Sequence, residues 1–499
     1  MAEAVAAVQQ AQPTFTEADL IRHLEVQLHQ GNDGPVNRDE VSPVGSRLRP
    51  DQAAAAFWAL TSARRAEVLA GPAGSGKTWT VAEMARIWRQ AGMGEVIGLA
   101  TSQTAANILA DAGVSRAFNT ARFLGHLEGR REALGAMPVA PGSLLILDEA
   151  SMMSLADIAA ILAIARRTGS KVVVTGDHEQ LAAVEGGGAM MLLARRMGFV
   201  QLAEPQRFAS EWERDATLRL RMGDVTVLTE YQENGRLRGG TPEEATEQAY
   251  RGWLADYLSG LDSVLVARTE DQARELSRRA RDDLIRYGRV AAGPQVRLAA
   301  GEHASAGDLI IARRNNRAIS AGQNGRDLAN RDILQITAMA AGQGGNRIEV
   351  RRLLDRDPES GQSSWSAPFW LPRRYLANHA TLAYATTAHA ALGRTTDTAH
   401  VLVDGLADRQ GLYVAMSRGR IANYAYCITH SPRLADIVEG SRRAPELDRV
   451  IRLDAERAGL PARANDSPAA GRSEDGPVLD QVTVTAWRGR ASPRRKTAA

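Results

Sequence analysis

Cysteine and long apolar runs are scarce in this 499-residue sequence. The single cysteine, Cys427, excludes an internal disulfide and a zinc site built on cysteines. It lies in the apolar run 424–428, which favours a buried structural thiol over a nucleophile. The longest uninterrupted apolar run, 158–165, is far shorter than the roughly 20 residues that cross a bilayer. The first residues show no basic-then-apolar signal pattern, so we expect a cytoplasmic protein with no membrane partner.

Lysine is also scarce. It occurs only at Lys77, Lys171 and Lys496, whereas the sequence has 58 arginines. Such a skew is typical of a GC-rich genome, and it makes any single arginine weak evidence for a site. Lys171 begins an apolar run, and we interpret it as a solvated surface residue. The formal net charge is only +3. Charge alone therefore gives little indication of a nucleic-acid partner.

The hydrophobic pattern predicts an α/β fold in several parts. Short apolar runs at 67–70, 96–100, 144–147 and 171–175 alternate with helical patterns over 51–210, which is typical of a parallel sheet, and the alternation returns over 211–300 and 376–435. Val81 and Trp88 are expected on the buried face of the first of these helices, and Ser154 with Asp157 is expected to cap a later one. The stretch 301–375 has strand-like runs at 307–313, 333–337 and 347–353 with Gly/Asn-rich turns, and predicts a small β-barrel inserted into the second α/β domain. Residues 1–50 are expected to be a linker or docking segment with one helix at 16–28. Residues 436–499 are expected to be a largely disordered basic extension.

A glycine-rich loop lies between the first predicted strand and the first amphipathic helix of the 51–210 region. Its residues are Gly71, Pro72, Ala73, Gly74, Ser75, Gly76, Lys77 and Thr78, which match the pattern G-x-x-x-x-G-K-[ST]. Backbone N–H groups of such a loop bind phosphates, Lys77 would reach the β- and γ-phosphates of ATP, and Thr78 would bind Mg²⁺. A glycine-rich turn without a ligand is the alternative, which the spacing and context disfavour.

Two further motifs follow buried strands of the same region. Asp148 and Glu149 end the run 144–147, where an α/β sheet places its ligands. Asp148 would hold Mg²⁺ through water, and Glu149 would orient and deprotonate the water that attacks the γ-phosphate. Asp177 follows the run 171–175 and would belong to the nucleotide site. Gln180 could contact the γ-phosphate or that water.

The phosphate loop, Asp-Glu-Ala-Ser at 148–151 and Gly-Asp-x-x-Gln-Leu at 176–181, in this order, resemble the superfamily 1 helicases of the RecD-like branch. The resemblance implies two RecA-like P-loop NTPase domains, with a small SH3-like barrel inserted in the second. It implies ATP and Mg²⁺ as cofactors, and movement from 5′ to 3′ on single-stranded DNA. It also implies that Gln52 reads the adenine, and that Arg207 and Arg418 act on the γ-phosphate.

The same resemblance assigns the expected contacts with DNA. Thr101 and Ser102 resemble a strand-end motif whose hydroxyls contact DNA phosphates, and Thr120 begins the motif that follows. Thr387 and His389 lie in a motif that couples DNA to the nucleotide. Leu392 stands in that motif where the family has a polar glutamine. A core histidine is the alternative for His389.

Within the branch, the sequence looks closest to the helicase portion of conjugative relaxases of the TraA/TraI type. The relaxase chemistry is not expected, because none of the nine histidines forms a His-x-His pair and the first tyrosine is Tyr231. The implied function is an ATP-dependent DNA helicase in conjugative transfer or in recombination and repair. Its partners would be single-stranded DNA, duplex junctions and conjugation (relaxosome) or recombination proteins. A RecD-like subunit of a recombination exonuclease and a degenerate ATP-binding scaffold, favoured by Leu392, remain as alternatives.

Overall fold

The computed structural model describes residues 48–114, 116–127, 139–180, 188–202, 205, 207–224, 226–321, 327–339, 347–356, 363–404, 407 and 409–428. The chain divides into two compact units, Met1–Gln206 and Arg207–Ala499. The helix expected at 16–28 and the basic extension at 436–499 lie outside the described residues. No helix in the described part is long and apolar enough to cross a membrane.

The first unit is built on one parallel sheet. Its strands are β1 (Ala66–Ala70), β2 (Val96–Ala100), β3 (Arg116–Asn119), β4 (Leu144–Asp148), β5 (Lys171–Gly176) and β6 (Val200–Gln201). Its helices are α1 (Pro50–Thr61), α2 (Lys77–Gln90), α3 (Gln103–Asp111), α4 (Thr120–Leu127), α5 (Leu155–Thr168) and α6 (Ala189–Met197). The strands lie in the order β3-β2-β4-β5-β1-β6, and every pair is parallel.

Side chains of the central strands alternate between two hydrophobic clusters, one on each face of the sheet. In β5, Val172 and Val174 belong to the cluster with α4, α5 and α6, whereas Val173 belongs to the cluster with α1, α2 and α3. Because both faces are covered, the central strands read as continuous apolar runs, as parallel sheets do. The predicted strands at 67–70, 96–100, 144–147 and 171–175 are confirmed by the structure.

The helices of this unit begin where their local sequence provides a cap. Ser154 Oγ accepts a hydrogen bond from Asp157 N at 3.1 Å at the start of α5, and Gly169 follows the helix with φ +64°. Both features are standard signals for the two ends of a helix. The predicted buried face of α2, which includes Val81 and Trp88, is confirmed.

The second unit contains fifteen strands and seven helices among its described residues. The strands are β7 (Leu237–Gly240), β8 (Ser263–Ala267), β9 (Val296–Arg297), β10 (His303–Ala304), β11 (Leu309–Ala312), β12 (Asn316–Ser320), β13 (Asp327–Leu328), β14 (Ile333–Met339), β15 (Arg347–Arg356), β16 (Ser363–Trp365), β17 (Phe369–Pro372), β18 (Ala380–Leu382), β19 (Ala385–Thr387), β20 (Thr396–Val403) and β21 (Gly419–Ile428). The helices are α7 (Glu211–Met222), α8 (Val227–Glu233), α9 (Pro242–Leu258), α10 (Glu270–Arg286), α11 (Arg373–His379), α12 (Ala388–Ala391) and α13 (Arg409–Ala415).

Two kinds of sheet share this unit. A parallel sheet has the order β19-β8-β20-β21-β7. An antiparallel sheet has the order β16-β15-β14-β11-β18, and β17 also pairs with β15. The strands expected at 307–313, 333–337 and 347–353 correspond to β11, β14 and β15. The antiparallel pairing continues beyond residue 375, because Leu382 of β18 pairs with Ile310 of β11.

One hydrophobic core connects the antiparallel sheet to α9 and α10. Ile310, Leu334 and Val350 lie in the same cluster as Trp253 of α9 and Leu276 of α10. Burial of the thiol raises the pKa of Cys427, on β21, to about 12. Cys427 is partly buried, and its raised pKa disfavours the thiolate that a nucleophile needs.

The interpretation of Lys171 as a solvated surface residue is wrong. Its side chain is only 7% exposed, and its ammonium donates to Ser62 O, Ser62 Oγ and Arg64 O at 2.6 to 2.8 Å. These oxygens belong to the loop between α1 and β1, which the sequence pattern does not connect to β5. Burial lowers the pKa of Lys171 to about 8 from its usual 10.5.

Lys171→Met should therefore remove a pH-dependent part of the stability. Between pH 8 and 10.5 the unfolded chain holds a proton on this lysine that the folded chain has released. In that window the free energy of unfolding of the unmodified protein rises with pH through this group. The free energy of unfolding of the unmodified protein, relative to that of the variant, should therefore rise by on the order of 3 kcal/mol from pH 8 to pH 10.5. Urea unfolding at a series of pH values measures this rise. Ser62→Ala, which keeps the ammonium, should retain the slope, and a difference independent of pH would contradict the expectation.

Candidate functional site

The glycine-rich loop connects β1 to α2, as the sequence predicted. Lys77 is the first residue of α2, and its Nζ donates to Gly71 O at 2.8 Å and to Pro72 O at 2.9 Å. The ammonium thus folds back over the loop that precedes it. Thr78 is half-buried in the first turn of the same helix. The helix N-terminus and the lysine together provide positive charge at the loop.

Gln52 of α1 packs beneath this loop. Its Nε2 donates to Ser75 O at 3.2 Å, and its Oε1 accepts from Arg49 N at 3.2 Å. Gly76 adopts φ +81°, and a Cβ at this position would lie 2.5 Å from Gln52 Nε2. The dihedral angle favours glycine here, and a Cβ would also displace the end of the Gln52 side chain. In this structure Gln52 is buried and supports the loop backbone.

The loop fits a phosphate group by two observations. Ser75 is fully buried, and its Oγ has no hydrogen-bond partner among the residues that the structure describes. A buried hydroxyl of this kind usually has a ligand or solvent partner. The glycines also keep the loop free of Cβ atoms where a ligand must approach the backbone, as phosphate loops require.

The acidic pair lies at the carboxyl end of β4. Asp148 is buried and accepts from Glu149 N at 3.0 Å. Burial raises the pKa of Asp148, while the backbone hydrogen bond and the charge of Lys77 act in the opposite direction. Glu149 adopts φ +51°, a left-handed conformation that is uncommon for residues other than glycine. Strained backbone of this kind concentrates at functional sites.

The donor chemistry at Asp148 and Thr78 fits Mg²⁺, which prefers oxygen ligands. A cation would also offset the burial that disfavours the charge of Asp148. In the described part of the chain, no group of three or more His, Cys, Asp or Glu side chains could hold a metal ion. Magnesium in ATPases usually takes its ligands from one or two carboxylates, the nucleotide phosphates and water.

The end of β5 lies against the turn that follows the acidic pair. A Cβ at Gly176 would come within 3.2 Å of Ala150 N and 2.7 Å of Met190 Sδ. The carboxylate of Asp177 accepts from Glu179 N at 3.1 Å, and Gln180 N donates to Asp177 O at 3.0 Å. Asp177 therefore shapes the turn that presents the half-buried Gln180.

The three expected DNA contacts of the first unit lie at one edge of its sheet. Ser102 caps α3 by accepting from Ala105 N at 3.0 Å, and Thr101 precedes it. Thr120 is buried, and its Oγ1 donates to Ala100 O at 3.0 Å. Its hydroxyl thus joins α4 to the end of β2. The sequence reasoning missed Asn119, whose Nδ2 donates to Thr101 O at 2.7 Å.

In the second unit, Thr387 and His389 lie where β19 passes into α12. His389 is exposed, and Thr387 Oγ1 donates to Glu270 Oε1 at 3.4 Å. The same carboxylate accepts from Arg313 Nη2 at 3.2 Å, so Thr387 lies near the entry to the antiparallel sheet. Leu392, which stands where the family has a polar glutamine, is buried.

In the second unit, Arg207 contacts the short turn that carries Arg418. Arg207 Nη1 donates to Ser417 O at 2.8 Å, and desolvation lowers the pKa of Arg207 to about 10, which leaves it charged at neutral pH. Arg418 is only 2% exposed. Its guanidinium donates to Val414 O, Arg394 O and Ser417 Oγ at 2.7 to 3.2 Å.

A parallel sheet with a glycine-rich loop after β1 and an acidic pair after β4 defines the first unit as a P-loop NTPase. In agreement, a family model described as an AAA domain matches residues 47–242. The Conjugal transfer protein TraA of Rhizobium radiobacter is 31% identical over 377 residues, which are 75% of this chain and 32% of that protein. The ATP-dependent RecD2 DNA helicase of Deinococcus radiodurans is 31% identical over 180 residues, 36% of this chain and 25% of that protein.

Among solved structures, the Pif1 helicase from Candida albicans is 16% identical, with a TM-score of 0.49, and the match covers 82% of this chain and 99% of that one. This chain spans about a third of the length of the TraA proteins it matches, 32% in each case. The resemblance to RecD-like superfamily 1 helicases, and among them to TraA-type conjugal transfer proteins, is confirmed by the sequence relatives.

Proposed function

We propose that this chain hydrolyses ATP with Mg²⁺ and couples the hydrolysis to 5′-to-3′ movement along single-stranded DNA. The observation that carries the proposal is the geometry after β1 and β4. A partly buried loop leads into Lys77 at the start of α2, and a buried aspartate ends a strand of the same parallel sheet, directly before a strained glutamate. The sequence similarity to a DNA helicase and to conjugal transfer proteins supports the choice of DNA and of conjugation.

Each side chain at the nucleotide would have a separate role in this proposal. Lys77 would exchange its two carbonyl partners for the β- and γ-phosphates, and Thr78 and Asp148 would hold Mg²⁺. Glu149 would orient the attacking water and accept its proton, and Gln180 would contact that water or the γ-phosphate. Asp177 would fix the turn that carries Gln180. Gln52 would hold the phosphate loop, with its proposed adenine contact as a second role.

The domain assignment is part of the proposal. Residues 51–210 would form the first RecA-like motor domain, and 211–300 with 376–435 the second. Residues 301–375 would be the SH3-like insertion, whose described strands are antiparallel. Arg207, the first residue of the second compact unit, and Arg418 of the second domain would stabilise charge on the transferring phosphoryl group. For this, Arg418 must leave the oxygens that it contacts in the present structure.

The DNA would be held through its phosphates by Thr101, Ser102, Thr387 and His389, which gives binding that is independent of sequence and sensitive to salt. Thr120 would contribute by fixing the backbone at the end of β2, since its hydroxyl already donates to Ala100 O. Duplex junctions and conjugation or recombination proteins would be the further partners.

The proposal is tested by measuring ATP hydrolysis with and without single-stranded DNA. The rate should rise several-fold with DNA, and a 5′-tailed duplex should be unwound in preference to a 3′-tailed one. Thr387→Val should reduce the stimulation, whereas Thr246→Val, on the exposed side of α9, should leave it unchanged. Hydrolysis that is equal with and without DNA would contradict the motor and favour the ATP-binding scaffold, which Leu392 also favours.

A further inference from the structure

A buried carboxylate lies under the turn that carries Arg418. Glu213 of α7 is 0% exposed, and its Oε1 accepts from both Asn423 N at 2.9 Å and Asn423 Nδ2 at 3.1 Å. Asn423 of β21 is also 0% exposed. The two side chains therefore form one hydrogen-bonded pair inside the second unit.

Asn423 connects this pair to the turn at residues 417–420. Its Oδ1 accepts from Gly419 N at 2.7 Å, and its Nδ2 donates to Gly419 O at 2.9 Å. Both backbone groups of Gly419 are thereby fixed by a single side chain. A Cβ at Gly419 would lie 2.3 Å from Ala422 O, so no other residue fits the turn at this position.

The residues around Gly419 hold the two arginines of the proposed phosphate chemistry. Ser417 O accepts from Arg207 Nη1 at 2.8 Å, and Ala209 N donates to Arg420 O at 2.7 Å. The Arg418 guanidinium donates to Ser417 Oγ at 2.7 Å. A shift of the backbone at residues 417–420 would therefore move Arg207 and Arg418 together.

Burial of the Glu213 carboxyl group is energetically unfavourable. Its Oε2 is buried without a hydrogen-bond partner among the described residues, and desolvation raises the pKa of the carboxyl. Replacing a buried charged group by an apolar residue of similar volume is often neutral or stabilising. Stability alone therefore gives little reason for a carboxylate here, whereas an oxygen that accepts two hydrogen bonds from Asn423 has a geometric role.

We propose that Glu213 and Asn423 are positioning residues for ATP hydrolysis, which fix the backbone of residues 417–420 and thereby the placement of Arg207 and Arg418. This inference rests on the proposed function. The phosphate loop and its lysine belong to the other unit and do not depend on the pair. Loss of the pair should therefore reduce kcat and leave the KM for ATP nearly unchanged.

The test uses the full chain and steady-state ATP hydrolysis with single-stranded DNA. Asn423→Ala and Glu213→Ala should each lower kcat at least about tenfold, because small displacements of catalytic groups have large kinetic effects. The KM for ATP should stay within about twofold of the unchanged protein, since uniform binding is not affected. Glu213→Gln keeps an oxygen that can accept from Asn423 and should retain most of kcat.

A second variant pair covers the case in which the alanine variants do not fold. Asn423→Asp places a carboxylate against Glu213 and should lower kcat in the same way. Adding Glu213→Gln to Asn423→Asp removes one of the two charges, and should recover kcat at least about threefold, the size of a direct coupling between contacting residues. Tyr250→Phe is the matched control, because it removes a buried hydrogen bond to Asp283 in the same unit without touching the turn.

Hydrogen exchange of the peptide containing Gly419 is measured in parallel. Faster exchange with a selective loss of kcat in the Asn423 variants supports the proposal. Unchanged kcat, no recovery with Glu213→Gln, or an equal loss in Tyr250→Phe would overturn it. Absence of hydrolysis in the unchanged protein would overturn the proposed function instead, and the exchange data would still decide whether the pair fixes the turn.

Discussion

Lys77→Ala should abolish ATP hydrolysis, with kcat falling by at least about a hundredfold, the usual effect of removing one donor to a transition-state charge. In the structure the ammonium donates to Gly71 O and Pro72 O, and a phosphate would replace these carbonyls. Alanine leaves the loop backbone and the helix N-terminus in place. The variant should therefore fold normally and lose the chemistry.

Lys77→Arg is the informative companion, because a planar guanidinium cannot replace a compact ammonium that sits against two carbonyls. It should lose most of the activity although the charge is kept. Arg86→Ala, on the same helix but paired with Glu83 at 2.9 Å, is the matched control and should keep kcat. Full activity of Lys77→Ala in a steady-state assay would mean that the nucleotide binds elsewhere.

Glu149→Gln should lower kcat by on the order of a hundredfold while leaving binding of Mg²⁺ and ATP intact, because a general base typically contributes 10²- to 10⁴-fold. The residue is held at φ +51° after β4, and glutamine can adopt the same backbone conformation and fill the same space. The amide can still orient a water molecule but cannot accept its proton. The bound nucleotide should then remain unhydrolysed.

Asp148→Asn separates the two acidic roles. It should weaken the dependence of nucleotide binding on Mg²⁺, as measured by titration of a fluorescent ATP analogue with and without the metal. Glu149→Gln should bind the analogue as the unchanged protein does. Glu83→Gln on α2 is the control for loss of one negative charge in this unit, and should match the unchanged protein in both assays. Normal turnover in Glu149→Gln would remove that residue from the mechanism.

Much of the first unit was predictable because its signals are local. Four strands were expected within one residue of their observed bounds, since a parallel strand covered on both faces is a continuous apolar run. Ser154 with Asp157 marked the start of α5 for the same reason, as a cap lies within one turn of the residues that it caps. The phosphate loop was predictable because its eight residues contain the complete motif.

Residues whose partners are distant in sequence were harder to interpret. Lys171 was assigned to the surface from its place at a strand start, but its three oxygen partners lie more than a hundred residues earlier. Thr120 was expected to face DNA, and its hydroxyl donates to Ala100 O. Asn423 and Glu213 had no local signal at all, since they are 210 residues apart in the chain.

The sequence by itself predicts the class of chemistry, because spacing and residue type at Lys77, Asp148 and Glu149, between strands and helices of an α/β pattern, indicate phosphate and magnesium. Tertiary structure alone decided which polar side chains are available for that chemistry. It places Gln52 under the phosphate loop and Arg418 against backbone oxygens. The physical reason is that a buried polar group must find a partner inside the protein, and folding, which brings distant segments together, supplies that partner.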